Sequence, residues 1–214
     1  MILIILFIGL IAFIVGLLFL DTPKSQWTVG GLGLLVLSTA ALLMIGNDNW
    51  HWGMHQTTTT TTTKITSVSG QTQLPLLVYQ PLKKSTTERV YIYQNRTSQK
   101  RQLTQANLKT TNKVLYQSTA TQAKLVTTTK KWRYNQGLWR WLFENTGKHH
   151  ELIARTNTFI LPTTWTTLSY AQSQWLKTQV TSALKDQATT TLTAQQQAAA
   201  LATLVAKAKA VKSD

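Results

Sequence analysis

The stretch that decides the fold is the run of residues 2–20, ILIILFIGLIAFIVGLLFL, which contains no charged or strongly polar side chain. At a rise of about 1.5 Å per residue, a helix of this length spans roughly 28 Å, close to the hydrocarbon thickness of a bilayer. A cleaved signal peptide would have a basic beginning, a shorter apolar core and a small-x-small motif before Asp21. The run has none of these features, so it predicts a retained transmembrane helix.

A second apolar run, residues 27–46 (WTVGGLGLLVLSTAALLMIG), follows the connector DTPKSQ (21–26). Pro23 in this connector is expected to stop helix propagation. Because the connector is short, it brings the second helix back as an antiparallel neighbour of the first. The sequence therefore predicts a transmembrane helical hairpin over residues 1–46, anchoring a multi-pass protein in the cell membrane.

Small residues recur along both runs at helical spacing. Those that we predict to pack the hairpin are Gly9, Ala12 and Gly16 in the first run and Gly30, Gly33 and Ala41 in the second. Such faces let two backbones approach closely in lipid, where van der Waals contact drives helix association. The alternative interpretation is that glycine is simply frequent in membrane helices.

Residues beside the two apolar runs indicate where the membrane interface lies and how the protein is oriented in the membrane. Trp27, Trp50 and Trp52 flank the second run, where amphipathic rings lie at the headgroup level of a bilayer. Lys24 in the connector and Lys64 after the second run are the nearest cations, so the positive-inside rule gives almost no orientation. Composition therefore decides, and it favours a soluble domain on the extracytoplasmic side.

Charge and composition set the soluble part of the chain apart. Residues 47–214 contain 21 of the 22 Lys and Arg residues and 6 of the 7 Asp and Glu residues. The 21 cations and 6 anions give this region the whole net charge of +15. This surplus favours polyanionic surroundings, whether nucleic acid, anionic lipid or an anionic wall polymer. Threonine occurs 37 times and glutamine 19 times, and cysteine is absent. The absence of cysteine excludes disulfides and Cys-ligated metal sites.

The soluble part divides into a stalk and a β-rich domain. Residues 47–63 are predicted to leave the membrane, and their seven consecutive threonines (57–63) predict either an extended stalk or the lead-in to a strand. Residues 64–168 are predicted to be β-rich. The candidate strands are 64–69, 74–80, 89–94, 113–117, 123–134, 137–143 and 156–162. Their spacing predicts a small, mostly antiparallel β-sheet, sandwich or open barrel.

Residues 169–214 predict helices. Ser169 is a candidate N-cap, and apolar residues such as Trp175, Leu176, Val180 and Leu184 follow it at helical spacing. Threonines at 189–191 are poor helix formers, so we predict two helices with a break between them. The predicted fold class is therefore a membrane α-helical hairpin plus an α+β domain whose sheet precedes C-terminal helices.

One group of side chains is a candidate catalytic pair. Glu144 and Glu151 lie near His149 and His150, and this is the one place where an acid–base pair is conceivable. The sequence ENTGKHHE, with Gly147 inside it, favours the simpler interpretation of a polar turn between two strands. We therefore predict no catalytic residue.

A metal site is also considered. His51 and His55 stand four residues apart, which on a helix would put both on one face. Gly53 and the following threonines argue against a helix there. The chain has no phosphate-binding glycine loop, nucleophile elbow or Walker signature. We predict no metal and no cofactor.

The most distinctive soluble stretch is KKWRYNQGLWRW, residues 130–141. Read as strands, it puts Trp132 with Tyr134 on one face, and likewise Trp139 with Trp141. Packing of these aromatic residues in a core is the favoured interpretation. The cations that would then contact an anionic membrane or wall polymer are Lys130, Lys131, Arg133 and Arg140. Single-stranded nucleic acid is the least favoured partner.

The layout resembles a known family. Two apolar runs, the motif WHWGM (50–54), a threonine tract, RVYIYQ (89–94) and RTNTF (155–159) are similar to small two-span membrane proteins of lactic-acid bacteria known only as a domain of unknown function. The resemblance implies a bacterial cell-envelope setting and carries no catalytic or binding residue.

The sequence thus predicts a non-enzymatic membrane-anchored cell-envelope protein. Its basic β-rich domain is expected to contact anionic lipid, wall polymer or a membrane-protein partner. The alternative is an accessory subunit of a transporter or envelope complex, with the small-residue faces of the hairpin packing against the partner. An envelope enzyme is a distant third.

Overall fold

The computed structural model describes residues 1–69, 74–82, 88–148, 150–186 and 194–211. The chain forms two compact units. The first unit consists of Met1–Thr58 and Lys130–Ile153, and the second of Thr59–Thr129 and Ala154–Asp214. The predicted order of helical N-terminus, β-sheet region and C-terminal helices is confirmed.

Two apolar helices begin the first unit. Helix α1 is Ile2–Leu18, and helix α2 is Pro23–Trp50, with a π-helical segment near its start. Helix α1 ends before Pro23, as expected, but α2 begins at Pro23 itself rather than at the predicted residue 27. A proline there removes no intrahelical hydrogen bond, and its fixed φ suits the helix. The second helix also continues past the predicted end at residue 46, until His51 adopts a left-handed conformation with φ 55°.

Glycines bring the backbones of α1 and α2 into contact. A Cβ atom added to Gly9 would lie 2.8 Å from the Leu37 backbone nitrogen, and one added to Gly16 would lie 2.6 Å from the Gly30 Cα. A Cβ on Gly33 would lie 2.8 Å from the Phe13 Cα. These separations are too short for a real Cβ, so only glycine fits at the three positions.

The two alanines of the predicted packing set lie less deeply. Ala12 and Ala41 are half-buried. The neighbouring Ala40, which the prediction omitted, is buried and 2% exposed. Of the residues described, α2 is the one helix whose length and composition suffice to cross a membrane, and α1 is a shorter apolar helix of 17 residues.

Gly33→Ala and its neighbour Gly31→Ala make a matched pair. Gly31 has no atom within 4 Å of an added Cβ, so Ala there should leave stability unchanged or raise it through helix propensity. Gly33→Ala should destabilise the protein by about 1–3 kcal/mol, because backbone atoms cannot move aside easily. Thermal unfolding in detergent, followed by circular dichroism, measures the difference. Equal melting temperatures for the two variants would contradict the close contact.

The β-strands form one mixed sheet. Their bounds are β1 Met54–Thr66, β2 Leu76–Pro81, β3 Arg89–Asn95, β4 Arg101–Leu103, β5 Thr110–Tyr116, β6 Lys124–Tyr134, β7 Leu152–Leu161 and β8 Thr166–Ser169. The strand order is β5-β7-β6-β1-β3-β2-β8, and β4 pairs with β3. Strands β2 and β8 pair in parallel, as do β5 and β7, whereas β3 is antiparallel to β1, β2 and β4.

Most predicted strands are observed. The threonine tract lies within β1, so of the two interpretations of that tract the strand is the one seen. The short strands β4 and β8 were not predicted. The expectation of mostly antiparallel pairing missed the two parallel pairs, because period-2 alternation carries no information about strand direction.

The prediction of a strand over residues 137–143 is wrong, since Leu138–Phe143 form helix α3, followed by a 3-10 turn over Glu144–Thr146. Gly137, with φ 84°, makes the turn that precedes α3. The apolar spacing is helical: Leu142 and Phe143 are buried at three and four residues after Trp139. Trp139 and Trp141 therefore do not share a face.

The predicted N-cap at Ser169 is confirmed. Helix α4 is Tyr170–Asp186. The Ser169 Oγ accepts the Gln172 N–H at 3.2 Å, and the Gln172 Oε1 accepts the Ser169 N–H at 2.9 Å, which is a capping box. Helix α5 is Ala194–Ala210. The predicted break at 189–191 and the side chain of Leu184 lie outside the described residues.

Two apolar clusters hold the second unit together. One contains Leu77, Phe159 and Leu161 with the buried Tyr91 and the half-buried Tyr93, and burial raises the pKa of both tyrosines. The other packs helices α4 and α5 on Leu76 and Leu168 of the sheet.

Candidate membrane-interface site

An aromatic cluster lies in the first unit where the helix pair meets strand β6 and helix α3. We define it as Tyr134, Trp139 and Phe143. The Phe143 ring stacks on both others, with ring centroids 6.0 Å from Tyr134 and 6.0 Å from Trp139. Ile2 of α1 and Ala40 of α2 pack against it. The cluster therefore joins both apolar helices to the rest of the unit.

A buried polar residue, Asn47, completes this junction at the end of α2. Its Nδ2 donates to the Trp52 carbonyl oxygen at 2.8 Å, and its Oδ1 accepts from the Tyr134 hydroxyl at 3.2 Å. Asn47 is only 3% exposed, and its bond to Tyr134 is buried whereas the one to Trp52 is partly buried. The sequence prediction did not identify it. The signal was an asparagine directly after an apolar run, where a helix end needs partners for its last groups.

Backbone contacts reinforce the same junction. The Met1 amine donates to the Leu142 carbonyl oxygen at 2.9 Å. The Asn135 N–H donates to the Gly53 carbonyl oxygen at 2.8 Å. Gly53 has φ 74°, and an added Cβ would meet the Trp139 ring. A side chain at position 53 would therefore displace the aromatic cluster.

Apolar side chains remain exposed around this junction. Trp50 and Trp52 stack on each other with centroids 5.7 Å apart. Both are exposed, as are Leu138 and Trp141 on helix α3. We call these four residues the apolar rim. Trp27, near the start of α2, is 82% exposed.

The predicted anion-contacting cations are in the same unit. Lys130, Arg133 and Arg140 are exposed, and Lys131 is half-buried. Arg140 forms an ion pair with Glu144, with 2.9 Å between Nη2 and Oε1.

The aromatic residues predicted to pack in a core differ in burial: Tyr134 is buried, Trp139 and Trp132 are half-buried, and Trp141 is exposed. Trp132 stacks on His51 at a centroid distance of 4.2 Å.

The other candidate chemistry is placed as follows. Glu144 pairs with Arg140, and the Glu151 carbonyl oxygen accepts the Trp132 N–H at 2.9 Å. The polar turn containing Gly147 connects helix α3 to strand β7, whereas the prediction placed it between two strands. His149 lies outside the described residues.

Among the described side chains, the candidate metal ligands are not grouped. The His55 Nδ1 is 2.7 Å from the Asn135 Oδ1. Within the described part of the chain, no three His, Cys, Asp or Glu side chains are grouped to hold a metal ion.

Asn47→Ala tests the hydrogen bonds of the buried asparagine, and Asn49→Ala is the matched control. Asn49 is exposed and its Nδ2 donates to the Ile45 carbonyl oxygen at 3.1 Å. Asn47→Ala removes two hydrogen bonds of a buried side chain and should destabilise the protein by about 1–3 kcal/mol, or roughly 2–4 °C per kcal/mol. Asn49→Ala should be near neutral. Thermal unfolding in detergent, combined with Tyr134→Phe in a double-mutant cycle, measures the coupling. Additive effects of Asn47→Ala and Tyr134→Phe would contradict the bond.

Comparison with known proteins gives one family. The family described as Domain of unknown function (DUF4811) matches residues 22–176, from the start of α2 into helix α4. No curated protein and no solved structure matches the chain. The match supports the predicted resemblance to a domain of unknown function. It does not address the predicted organism group or the number of membrane spans.

Proposed function

The chain belongs to the DUF4811 family, and we propose that it is a non-enzymatic, membrane-anchored protein of the cell envelope. In this proposal α1 and α2 cross the bilayer as a helical hairpin. The basic, threonine-rich remainder lies on the extracytoplasmic side, where the cations of the first unit contact anionic lipid headgroups or wall polymer.

The observation that carries the proposal is the contrast between the two sides of the helix pair. Its inner side consists of glycine-to-backbone contacts, whereas its outer side is almost wholly apolar. Large apolar side chains that are exposed there are Leu3, Ile4, Phe7, Ile8, Ile11, Ile14, Val15, Leu17 and Leu18 on α1 and Leu32, Leu34, Leu35, Leu42 and Ile45 on α2. A soluble protein rarely exposes so large an apolar surface, and lipid is the environment that suits it.

Helix lengths support the same arrangement. The 17 residues of α1 span about 26 Å, and the 28 residues of α2 span about 42 Å, against about 30 Å of hydrocarbon. The excess of α2 contains Pro23–Ser25 at one end and Asn47–Trp50 at the other. Both ends carry polar residues, so they suit the headgroup layers on either side.

The apolar rim supports contact of the first unit with the bilayer surface. Tryptophan is favoured at the headgroup level, and Trp50, Trp52 and Trp141 are exposed beside the end of the hairpin. Lys130, Arg133 and Arg140 add positive charge to the same unit, and each cation near an anionic surface contributes about 1 kcal/mol.

The alternative of an accessory subunit loses one of its supports. It relied on the small-residue faces of the hairpin for partner binding. Gly9, Gly16 and Gly33 are buried between α1 and α2, so these faces are used within the chain. A partner would have to bind the outer, apolar side of the helices instead.

Two cysteine substitutions test the hairpin, because the chain has no native cysteine. Asp21→Cys marks the connector and Thr60→Cys marks the soluble part, and both positions are exposed. An impermeant thiol reagent applied to intact cells should label Thr60→Cys, and label Asp21→Cys only after lysis. Labelling of both variants from the same side would overturn the two-span hairpin. Labelling with the two sides exchanged would keep the hairpin and place the domain in the cytoplasm.

Leu138→Cys and Asn145→Cys test the apolar rim in proteoliposomes. Both residues are exposed and lie seven positions apart in the same unit. A fluorophore at residue 138 should be quenched by brominated lipids, since α3 is proposed to rest in the headgroup layer, whereas one at residue 145 should not. Equal quenching at the two positions would count against contact through helix α3.

A further inference from the structure

A cleft of about 320 Å³ lies in the second unit between helix α4 and the strands β2 and β3. Its volume falls at the lower end of the range of about 300–1,000 Å³ that small-molecule sites occupy. The cleft belongs to neither the helix pair nor the apolar rim. What it can bind follows from the side chains that line it.

The floor of the cleft is apolar. Leu76 and Val78 come from β2 and Leu176 from α4, and all three are buried. Ile92 of β3 and Val180 of α4 widen the same surface. A floor made only of aliphatic side chains has no hydrogen-bonding groups and no flat aromatic face. It therefore suits a hydrocarbon chain and does not suit a base or a sugar.

The rim of the cleft is polar and positively charged. Arg101 of β4 and Lys177 of α4 line it together with Tyr170, Ser173 and Gln174. No Asp or Glu is among the described lining residues. The Arg101 Nη2 is 3.4 Å from the Val68 carbonyl oxygen, which is a weak bond. Within the described residues neither cation forms an ion pair, so both can hold an anionic group.

We propose that this cleft binds one unbranched acyl chain that ends in an anionic group, either a carboxylate or a phosphate. The aliphatic floor buries the chain, and Arg101 and Lys177 hold the headgroup by charge-assisted hydrogen bonds. The Tyr170 hydroxyl supplies a neutral donor beside them, whereas the Ser173 hydroxyl already donates to the Tyr170 carbonyl oxygen at 2.7 Å. The proposal goes beyond membrane anchoring and does not depend on it, because every lining residue is in the second unit.

Photocrosslinking of the full chain in nanodiscs of zwitterionic lipid tests the proposal. The probe is dodecanoate with a diazirine on its chain, and peptide mass spectrometry locates the adducts. We expect adducts on β2 or on α4, competed by excess dodecanoate or dodecyl phosphate and not by dodecanol. The stronger competitor identifies the headgroup. Adducts confined to α1 and α2, or equal competition by dodecanol, would overturn the proposal.

Two pairs of variants sharpen the test. Arg101→Gln with Lys177→Gln should reduce cleft adducts about tenfold. Arg96→Gln with Lys113→Gln removes the same charge from exposed positions outside the cleft and should leave the adducts unchanged. Val180→Phe should block the cleft, whereas Thr178→Phe, on the same helix but not lining it, should not. Circular dichroism checks that each variant folds. Folded variants that all crosslink like the wild type would refute the site.

Discussion

The bond between the Tyr134 hydroxyl and the Asn47 side chain, with the aromatic cluster beside it, is the constraint on which the first unit depends. Asn47 lies in the last turn of α2 and Tyr134 ends strand β6, and 87 residues separate them along the chain. The bond is buried, so breaking it would leave polar atoms without water to replace their partners. Because it fixes the end of α2, it also fixes where Trp50 and Trp52 emerge. The bond and the three stacked rings therefore join the end of α2 to β6 and α3, beside the apolar rim.

The same unit uses two different kinds of packing. Between α1 and α2, the backbones come into close contact at Gly9, Gly16 and Gly33. At the junction with α3, contact is made by large rings and a satisfied polar group. The first kind is how helices associate in lipid, where burying apolar side chains yields little free energy. The second is how a water-exposed fold is stabilised. The change from one to the other occurs within a few residues of Asn47, which is where the proposed membrane surface lies.

Periodicity predicted much of the fold, and it was wrong where one residue outweighed it. The apolar runs gave both helices and β2, and alternation gave β3. The start of α2 was misplaced because the effect of a proline depends on position: it breaks a helix interior but suits a first turn, where Pro23 lies. Residues 137–143 were misread because Trp139 and Trp141 imitate alternation, whereas burial follows Trp139, Leu142 and Phe143. Asn47 was missed because no local pattern shows that a distant tyrosine will reach it. Strand direction was missed for the same reason, since β2 pairs with β8 about ninety residues later.

The cations behind the net charge of +15 differ in their surroundings, and these surroundings decide which anionic partner each cation suits. In the first unit some cations are already paired: Arg140 with Glu144, and Lys148 with Asp48. Exposed pairs of this kind contribute little and are screened by salt, so they leave only part of the charge for an anionic surface. In the second unit Arg101 and Lys177 border an aliphatic floor, where a bound headgroup would be partly removed from water. A charge beside apolar surface discriminates between ligands more sharply than one in bulk solvent, because an unpaired partner there costs more. Local surroundings, rather than the total charge, therefore separate cations suited to a membrane surface from those suited to a bound ligand.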